Sequence, residues 1–344
     1  MIDTAVVPPL LNWYASAHRD LPWRRTRDPY CIWVSEIMLQ QTRVEAVRAY
    51  YARFMETLPD VQALAAADEQ TCLKLWEGLG YYSRVRNLHR AAVVVCRDYG
   101  GALPGSYAEL MRLPGIGDYT AGAIASIAFG ERVPAVDGNV LRVITRLTGD
   151  SRPITDQKVR ADLRTQTAAI VPEGQAGTFN QAMMELGATV CVPNGAPRCE
   201  CCPLVQHCEA YRCGTALSLP VKAEKKPRRI EPRTVFLLYS GGKIALHRRP
   251  SKGLLGGMWE LPSAEGALAP EQAVHQLVAW GLEAEQLCPR ADAKHIFTHI
   301  EWHMTGYYAV CKTPADGFEW VLPSELRETY ALPSAFRPFL EVPG

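Results

Sequence analysis

Long apolar runs are missing from this 344-residue chain. None approaches the ~18 residues that a membrane helix needs, which argues against a helical membrane protein. The stretch from Met1 to Leu11 has no positive run and no small-residue cleavage pattern, so a secretory leader is not expected and the cytoplasm is the expected compartment. An excess of one charge is missing as well: 37 Lys and Arg face 36 Asp and Glu, for a net charge of +1. Bulk charge therefore selects no partner, and what matters is where the charge sits. There is no low-complexity tract and no internal repeat. The length exceeds one ordinary core and points to two or three domains.

Cysteine, by contrast, is plentiful, with 11 residues. Cys31, Cys72, Cys96, Cys288 and Cys311 are scattered and read as buried thiols. The other six crowd between Cys191 and Cys213. Without a secretory leader, such crowding points to a metal or cluster site rather than to disulfides. Cys191, Cys199, Cys202 and Cys208 are separated by seven, two and five residues. Four thiolates suit zinc and an iron–sulfur cluster equally, and spacing does not separate them. Cys201 and Cys213 are spare thiols, Cys201 being an alternative ligand.

From Leu10 to about Arg212 the apolar period is helical: Trp33, Ile37, Val44, Val47, Tyr51 and Phe54 recur at three- and four-residue steps. Prolines 59, 104, 114, 134, 153 and 172 punctuate the helices. Leu217 to Arg233 is rich in Pro, Lys and Arg and reads as a linker. Its Lys222, Lys225, Lys226, Arg228, Arg229 and Arg233 fit a solvated tether or a contact with a polyanion. Beyond it, Thr234–Ser240, Gly241-Gly242 and Lys243–Leu246 read as a β-hairpin. Helical stretches near Glu271–Trp280 and Ser324–Thr329 and a strand-like Trp302–Val310 complete a compact α+β domain.

Two constellations carry chemistry. In Leu113-Pro114-Gly115-Ile116-Gly117, Pro114 ends a helix and the glycines permit a tight turn. Backbone amides around Gly115 and Gly117 are then free at the start of the next helix, where an anion such as a DNA phosphate can bind. An ordinary helix–helix turn is the plainer alternative. Some twenty residues on, Asp137 stands where it caps the helix from Asn139 to Leu147. A capping carboxylate stays ionised, and beside a sugar it can stabilise an oxocarbenium ion. Glu36 sits among Trp33, Val34, Ile37, Met38 and Leu39. Facing inward, it would be kept protonated by desolvation. A raised carboxyl and an ionised one form an acid and an electrostatic partner.

The hairpin, the Asp and the cysteine run together resemble the helix-hairpin-helix glycosylase superfamily, which includes endonuclease III. Its cluster pattern has six residues in the first interval, one fewer than here, which makes Cys191 the departure. Val34–Val44, Leu21-Pro22-Trp23-Arg24, Gly78–Arg84 and Phe179–Gly187 resemble the MutY family of adenine glycosylases over nearly the whole N-terminal two-thirds. That resemblance implies a [4Fe-4S] cluster on Cys191, Cys199, Cys202 and Cys208. It implies that Glu36 protonates adenine, that Asp137 stabilises or captures the sugar, and that Tyr119 and Asn139 support the site. Trp23, Arg24, Gln181 and Glu185 would line the adenine pocket. Gln41, Thr42, Leu79 and Tyr81 would surround the estranged 8-oxoguanine, with Tyr81 wedged into the stack. Glycosylase-lyases of the superfamily carry a Lys at the place of Tyr119; with Tyr119, and with Leu141 where some MutY proteins have a Lys, a monofunctional enzyme leaving an abasic site is expected.

His247–Pro250 and Gly253–Pro262 resemble a Nudix domain. The paired glutamates that bind magnesium in Nudix hydrolases are missing from Glu271–Leu277, so nucleotide hydrolysis is not expected. The family uses such a domain to read 8-oxoguanine, and Phe297, Thr298 and His299 stand at its Phe-Ser-His loop. The expected fold is multidomain: an all-α core with an iron–sulfur cluster, then an α+β Nudix-like domain. Residues 1–28 and 137–216 form the cluster domain, 29–136 a six-helix domain with the hairpin, 217–233 a linker and 234–344 the Nudix-like domain. The expected partner is double-stranded DNA with A opposite 8-oxoguanine, met by a monomer with no membrane contact, at the nucleoid if the source is bacterial.

Overall fold

The computed structural model describes residues 2–223 and 227–340. Lys225 and Lys226 of the basic run lie outside the described residues. The chain divides into two compact units, Met1–Ala67 with Arg84–Glu224, and Asp68–Ser83 with Lys225–Gly344. No helix among the described residues is long and apolar enough to cross a membrane.

The first unit is helical. Its elements include α1 (Val7–Ala17), α2 (Pro29–Leu39), α3 (Val44–Thr57) and α4 (Val61–Ala66). After α5 (Glu69–Leu75), which belongs to the other unit, come α6 (Ser83–Asp98), α7 (Tyr107–Leu110), α8 (Asp118–Phe129), α9 (Gly138–Thr148), α10 (Gln157–Ile170) and α11 (Ala176–Thr189). Helix α2 starts where Asp28 accepts the amides of Tyr30 and Cys31 at 2.8 and 3.2 Å, with Pro29 pre-set in the first turn. It is buried almost all round, from Ile32 to Met38, as expected of a helix through the middle of a bundle. It packs against α3 and α8. Helix α9 instead turns Val140, Val143, Ile144 and Leu147 into a second core shared with Leu10 of α1 and Phe179, Met183 and Leu186 of α11. Helices α9 and α11 approach closely because position 187 is glycine: a Cβ there would stand 2.7 Å from the Cβ of Asn139.

The segment read as a linker is ordered at both ends. Leu219 is buried and its carbonyl accepts Arg146 Nε at 3.0 Å, while Val221 O accepts the amide of Ile154 at 3.0 Å. At the other end β1 (Arg229–Ser240) starts inside that segment. Its first residues pair with β6 (Ile300–Cys311) from Arg229↔Ile300 onward. They look linker-like because they are exposed or half-exposed, and backbone pairing rather than side-chain burial makes them strand.

The second unit is built on a mixed sheet. Its order is β3 (Trp259–Glu260), β2 (Lys243–Arg248), β1, β6, β5 (Ala284–Ile296), with β4 (Ser263–Glu265) on β1 and β7 (Glu319–Val321) on β2. The central β1–β6 pair is parallel; β1 and β2 close the expected hairpin at Tyr239↔Ile244 and Ser240↔Lys243. Alternation splits the core: Val235 and Leu237 face one cluster with Trp302 and Phe336, Phe236 and Leu238 the other with Leu277 and Tyr307. The piece carrying α5 is tied to this unit: Lys74 Nζ donates to Tyr330 O at 3.0 Å, and Glu77 Oε1 accepts the amide of Leu332 at 2.9 Å.

Candidate active site

One cleft of about 1470 Å³ in the helical unit is lined by Glu36, Asp137, Tyr119 and Asn139 together with Trp23, Arg24, Gln181 and Glu185. Gln41, Thr42, Gly115 and Gly117 border the same cleft. Residues far apart in the sequence meet there because α2, α8, α9 and α11 are packed on one another.

Glu36 is buried on α2. Burial pushes its carboxyl up to about 7; Tyr119 and the more distant Arg24 pull it down, and the Asp137 charge pushes it up again. The hydroxyl of Tyr119 donates a short hydrogen bond to Glu36 Oε2. Burial and the two neighbouring carboxylates raise the phenol well above its ordinary value, so it stays a donor. Oε1 takes no hydrogen bond from a described residue.

Asp137 is the N-cap of α9: Oδ1 accepts the amide of Val140 at 2.8 Å and Oδ2 accepts Asn139 Nδ2 at 2.7 Å. Burial raises its carboxyl, and these bonds and Arg142 oppose the rise. Its charge rests on this cap, not on solvent. Asn139 is held in turn, its Oδ1 accepting Arg142 Nη2 at 2.8 Å. Arg142 also donates to Gly187 O at 2.8 Å and to Cys191 O at 2.7 Å.

Glu185 does not present a free carboxylate to the cleft. It is fully buried; Oε1 accepts the amide and Nε of Arg19 at 2.9 and 2.8 Å, and Oε2 accepts Arg19 Nη2 and Arg24 Nη2 at 2.8 and 2.7 Å. Burial alone would raise its carboxyl, but the two guanidinium groups win and hold it at about 2. Its direct effect is to fix two arginines at the mouth of the pocket. One turn earlier, Gln181 Oε1 accepts the Tyr14 hydroxyl at 3.0 Å. Arg19, Tyr14 and Arg142 were not singled out from the sequence. Isolated charged and aromatic residues carry no local signature, and only helix packing brings them here.

The hairpin is set by Gly115, at φ 74°, where a Cβ would stand 2.4 Å from Asn87 Cβ. Gly117 is the N-cap of α8 and supplies no side-chain cap, so the first turn of α8 offers its amides at the cleft.

Cys191, Cys199, Cys202 and Cys208 line a single pocket beside Arg146, whose Nη1 lies 3.3 Å from Cys191 Sγ. Cys201, adjacent in sequence, is exposed and directs its thiol at Arg198 O, 3.4 Å away; Cys213 is exposed against Glu209. Burial pushes the Cys202 thiol up to about 12 and raises Cys199 and Cys208 as well. Thiols so placed become thiolates only with strong positive charge among them, as a bound metal ion or cluster supplies. No group of three or more His, Cys, Asp or Glu side chains among the described residues is drawn together tightly enough to hold one metal ion.

The remaining sequence candidates fall in the second unit. Leu79 is buried there, and Tyr81, at φ 48°, is exposed with its hydroxyl 3.2 Å from Thr298 Oγ1. Phe297 stacks edge-on against Trp302 at 4.8 Å, and the exposed His299 accepts the amide of Arg229 on its carbonyl at 3.1 Å.

Residues 34–168 match the family model of the HhH-GPD superfamily of base excision DNA repair proteins, and residues 234–342 that of the NUDIX domain. The adenine DNA glycosylase of Mus musculus is 37% identical over 383 residues, covering 92% of this chain and 74% of that protein. That of Homo sapiens is 35% identical over 405 residues, covering 98% and 74%. Among solved structures, a thermostable thymine-DNA glycosylase matches 61% of this chain and 96% of its own with a TM-score of 0.56 and 32% identity. A trapped endonuclease III–DNA covalent intermediate matches 62% and 99% with a TM-score of 0.53; at 24% identity this shows the helical fold alone. The chain belongs to the adenine DNA glycosylase family, the base-excision enzymes that hydrolyse the N-glycosyl bond of adenine in DNA.

Proposed function

We propose that the enzyme excises adenine paired with 8-oxoguanine, or with guanine, from double-stranded DNA and leaves an abasic site without cutting the strand. The observation that carries the chemistry is the pair Glu36 and Asp137 in one cleft, one carboxyl raised to about 7 and the other capped by two donors. The adenine nucleotide is turned out of the stack, its phosphates held at the first turn of α8, and the base enters between Trp23, Arg24 and Gln181. Glu36 gives its proton to N7, and the C1′–N9 bond breaks with both electrons leaving on the now neutral base. The cationic sugar faces the Asp137 carboxylate. Water adds to C1′, and its proton returns to Glu36, restoring the acid.

Tyr119 supports monofunctional chemistry: its hydroxyl holds Glu36 and does not attack the sugar as an amine would. Cys191, Cys199, Cys202 and Cys208 would hold a [4Fe-4S] cluster, which when bound would cross-link the loop after α11 and carry no reaction step. Lesion reading falls to Gln41 and Thr42 in the helical unit and to Thr298 and Tyr81 in the other. An 8-oxoguanine presents a donor at N7 where guanine has an acceptor, and a hydroxyl answers either once its position is fixed; the Tyr81–Thr298 contact supports such fixing.

The deciding assay is single-turnover cleavage of a duplex bearing A opposite 8-oxoguanine, with and without alkali and with borohydride. Strand breaks only after alkali, and no borohydride-trapped adduct, are expected. Breaks without alkali would overturn monofunctionality, and an adduct lost in Lys222→Ala would place the amine on the lysine at the cleft wall.

A further inference from the structure

The turn after α2 carries the two cleft residues assigned to the estranged base, and it is an unfavourable piece of backbone. Helix α2 ends at Leu39, and Gln40, at φ −58° and ψ 111°, leaves it without the glycine that commonly closes a helix. Gln41 then adopts φ 59°, a left-handed conformation that a long side chain takes only when its surroundings impose it. The last carbonyls of α2 are unsatisfied by their own helix and point away from its C-terminus.

A single buried cation takes them. Arg84, on α6, donates from Nη1 to Ile37 O at 2.7 Å, Met38 O at 3.1 Å and Gln40 O at 2.6 Å. Its Nη2 reaches Thr42 Oγ1 at 3.4 Å. The guanidinium therefore sits on the negative end of the α2 dipole and holds both sides of the turn. From the other side, Gln40 Nε2 donates to Thr120 Oγ1 of α8 at 3.2 Å, and within the turn the amide of Thr42 donates to Leu39 O at 3.3 Å. A planar fork suits this position, since one terminal nitrogen meets the three carbonyls while the second reaches across to the hydroxyl. One ammonium does not reproduce that arrangement.

We infer that Arg84 is a specificity-determining positioning residue: it replaces the missing helix cap of α2 and holds Gln41 and Thr42 in the conformation that reads the base opposite adenine. Arg84 touches neither the adenine nor the reacting atoms. Glu36, a turn earlier on the buried body of α2, keeps its environment of Tyr119 and Asp137 without it. Releasing the turn thus loosens discrimination more than it changes the acid.

The inference rests on the 8-oxoguanine reading above, and the experiment separates the two. Single-turnover excision of A opposite 8-oxoguanine and opposite G is measured for wild type, Arg84→Met and Arg84→Lys, with the pH midpoint of excision and thermal stability followed in parallel. If wild type shows no preference for 8-oxoguanine, the pairing assignment fails and Arg84 has nothing to position. If wild type shows it, Arg84→Met is expected to lose at least about tenfold of the preference, matching a lost hydrogen bond to a charged group at ~1.4 kcal/mol per decade. The pH midpoint should stay in place, and Arg84→Lys should recover part of the preference. An equal fall on both substrates, or lowered stability with an unchanged ratio, would reduce Arg84 to a structural role and overturn the inference. Should Arg84→Met not fold, Arg84→Lys decides alone: a reduced ratio supports the inference and an unchanged one overturns it.

Discussion

Glu36 and Glu185 line the same cleft, both are buried, and their carboxyls are driven to opposite ends of the titration range, to about 7 and about 2. Burial penalises the charge of each. The difference is what stands beside them: Glu36 meets one phenol and the field of Asp137, whereas Glu185 meets two guanidinium groups. One is kept as an acid, the other as a counter-ion.

Excision should fall as pH rises through about 7, because Glu36 must be protonated to act. Glu36→Gln should remove adenine release while leaving duplex binding within a few-fold. It should also stabilise the fold at high pH. A carboxyl raised in the folded state favours folding below its ordinary range and loses that contribution as pH climbs through its folded value, here roughly 3 kcal/mol. Denaturant melts at pH 5 and pH 8.5 check this: the variant should lose less stability between the two than wild type does.

Glu185 has the opposite sign. Its depressed carboxyl contributes stability above the ordinary carboxylate range that is lost as pH falls toward about 2. Glu185→Gln should destabilise the helical unit near neutrality by about 2–3 kcal/mol, a range discounted for the partial exposure of Arg19. A variant as stable as wild type at pH 7 would show that the ion triad contributes nothing net.

Arg142 joins the Asp137 cap of α9 to the cysteine loop, reaching Asn139 Oδ1 and the carbonyl of Cys191. Arg142→Gln should slow excision roughly 10–100-fold, the worth of a hydrogen bond to a charged group, with a smaller effect on duplex affinity. Equal losses in rate and affinity would place its role in the fold rather than in the orientation of Asn139.

Cys202→Ser should lose iron and the broad visible absorption of an iron–sulfur protein, and Cys201→Ser should keep both, since only Cys202 faces the other three thiols. Anaerobic preparation with elemental analysis checks it. Stoichiometric zinc in place of iron would overturn the cluster assignment.

Thr298→Ala should reduce the preference for 8-oxoguanine over G by about fivefold, the value of ~1 kcal/mol for one hydrogen bond. The ratio of single-turnover rates at fixed salt is the measure. An unchanged ratio would leave lesion reading to Gln41 and Thr42.

Much of this molecule was legible in the residues because the determinants are local. Pro114 and two glycines dictate a turn, an Asp ahead of a periodic apolar run caps a helix, and closely spaced cysteines converge on one pocket. Val235 to Leu238 alternate as a strand must. Local chemistry also placed Glu36 and Asp137 on their helices. What the tertiary structure alone decided is the state of those groups. Glu36 is raised by burial under the packed helices and opposed by the hydroxyl of Tyr119, 83 positions away, while Glu185 is lowered against its burial by Arg19, 166 positions away, and by Arg24. The start of β1 follows from pairing with β6 rather than from any apolar pattern in Arg229–Arg233. Arg84 looks like one more surface cation until α6 brings it onto the end of α2. Burial and ion pairing depend on which helices meet, and a pattern read along one helix carries no record of the neighbour that desolvates it.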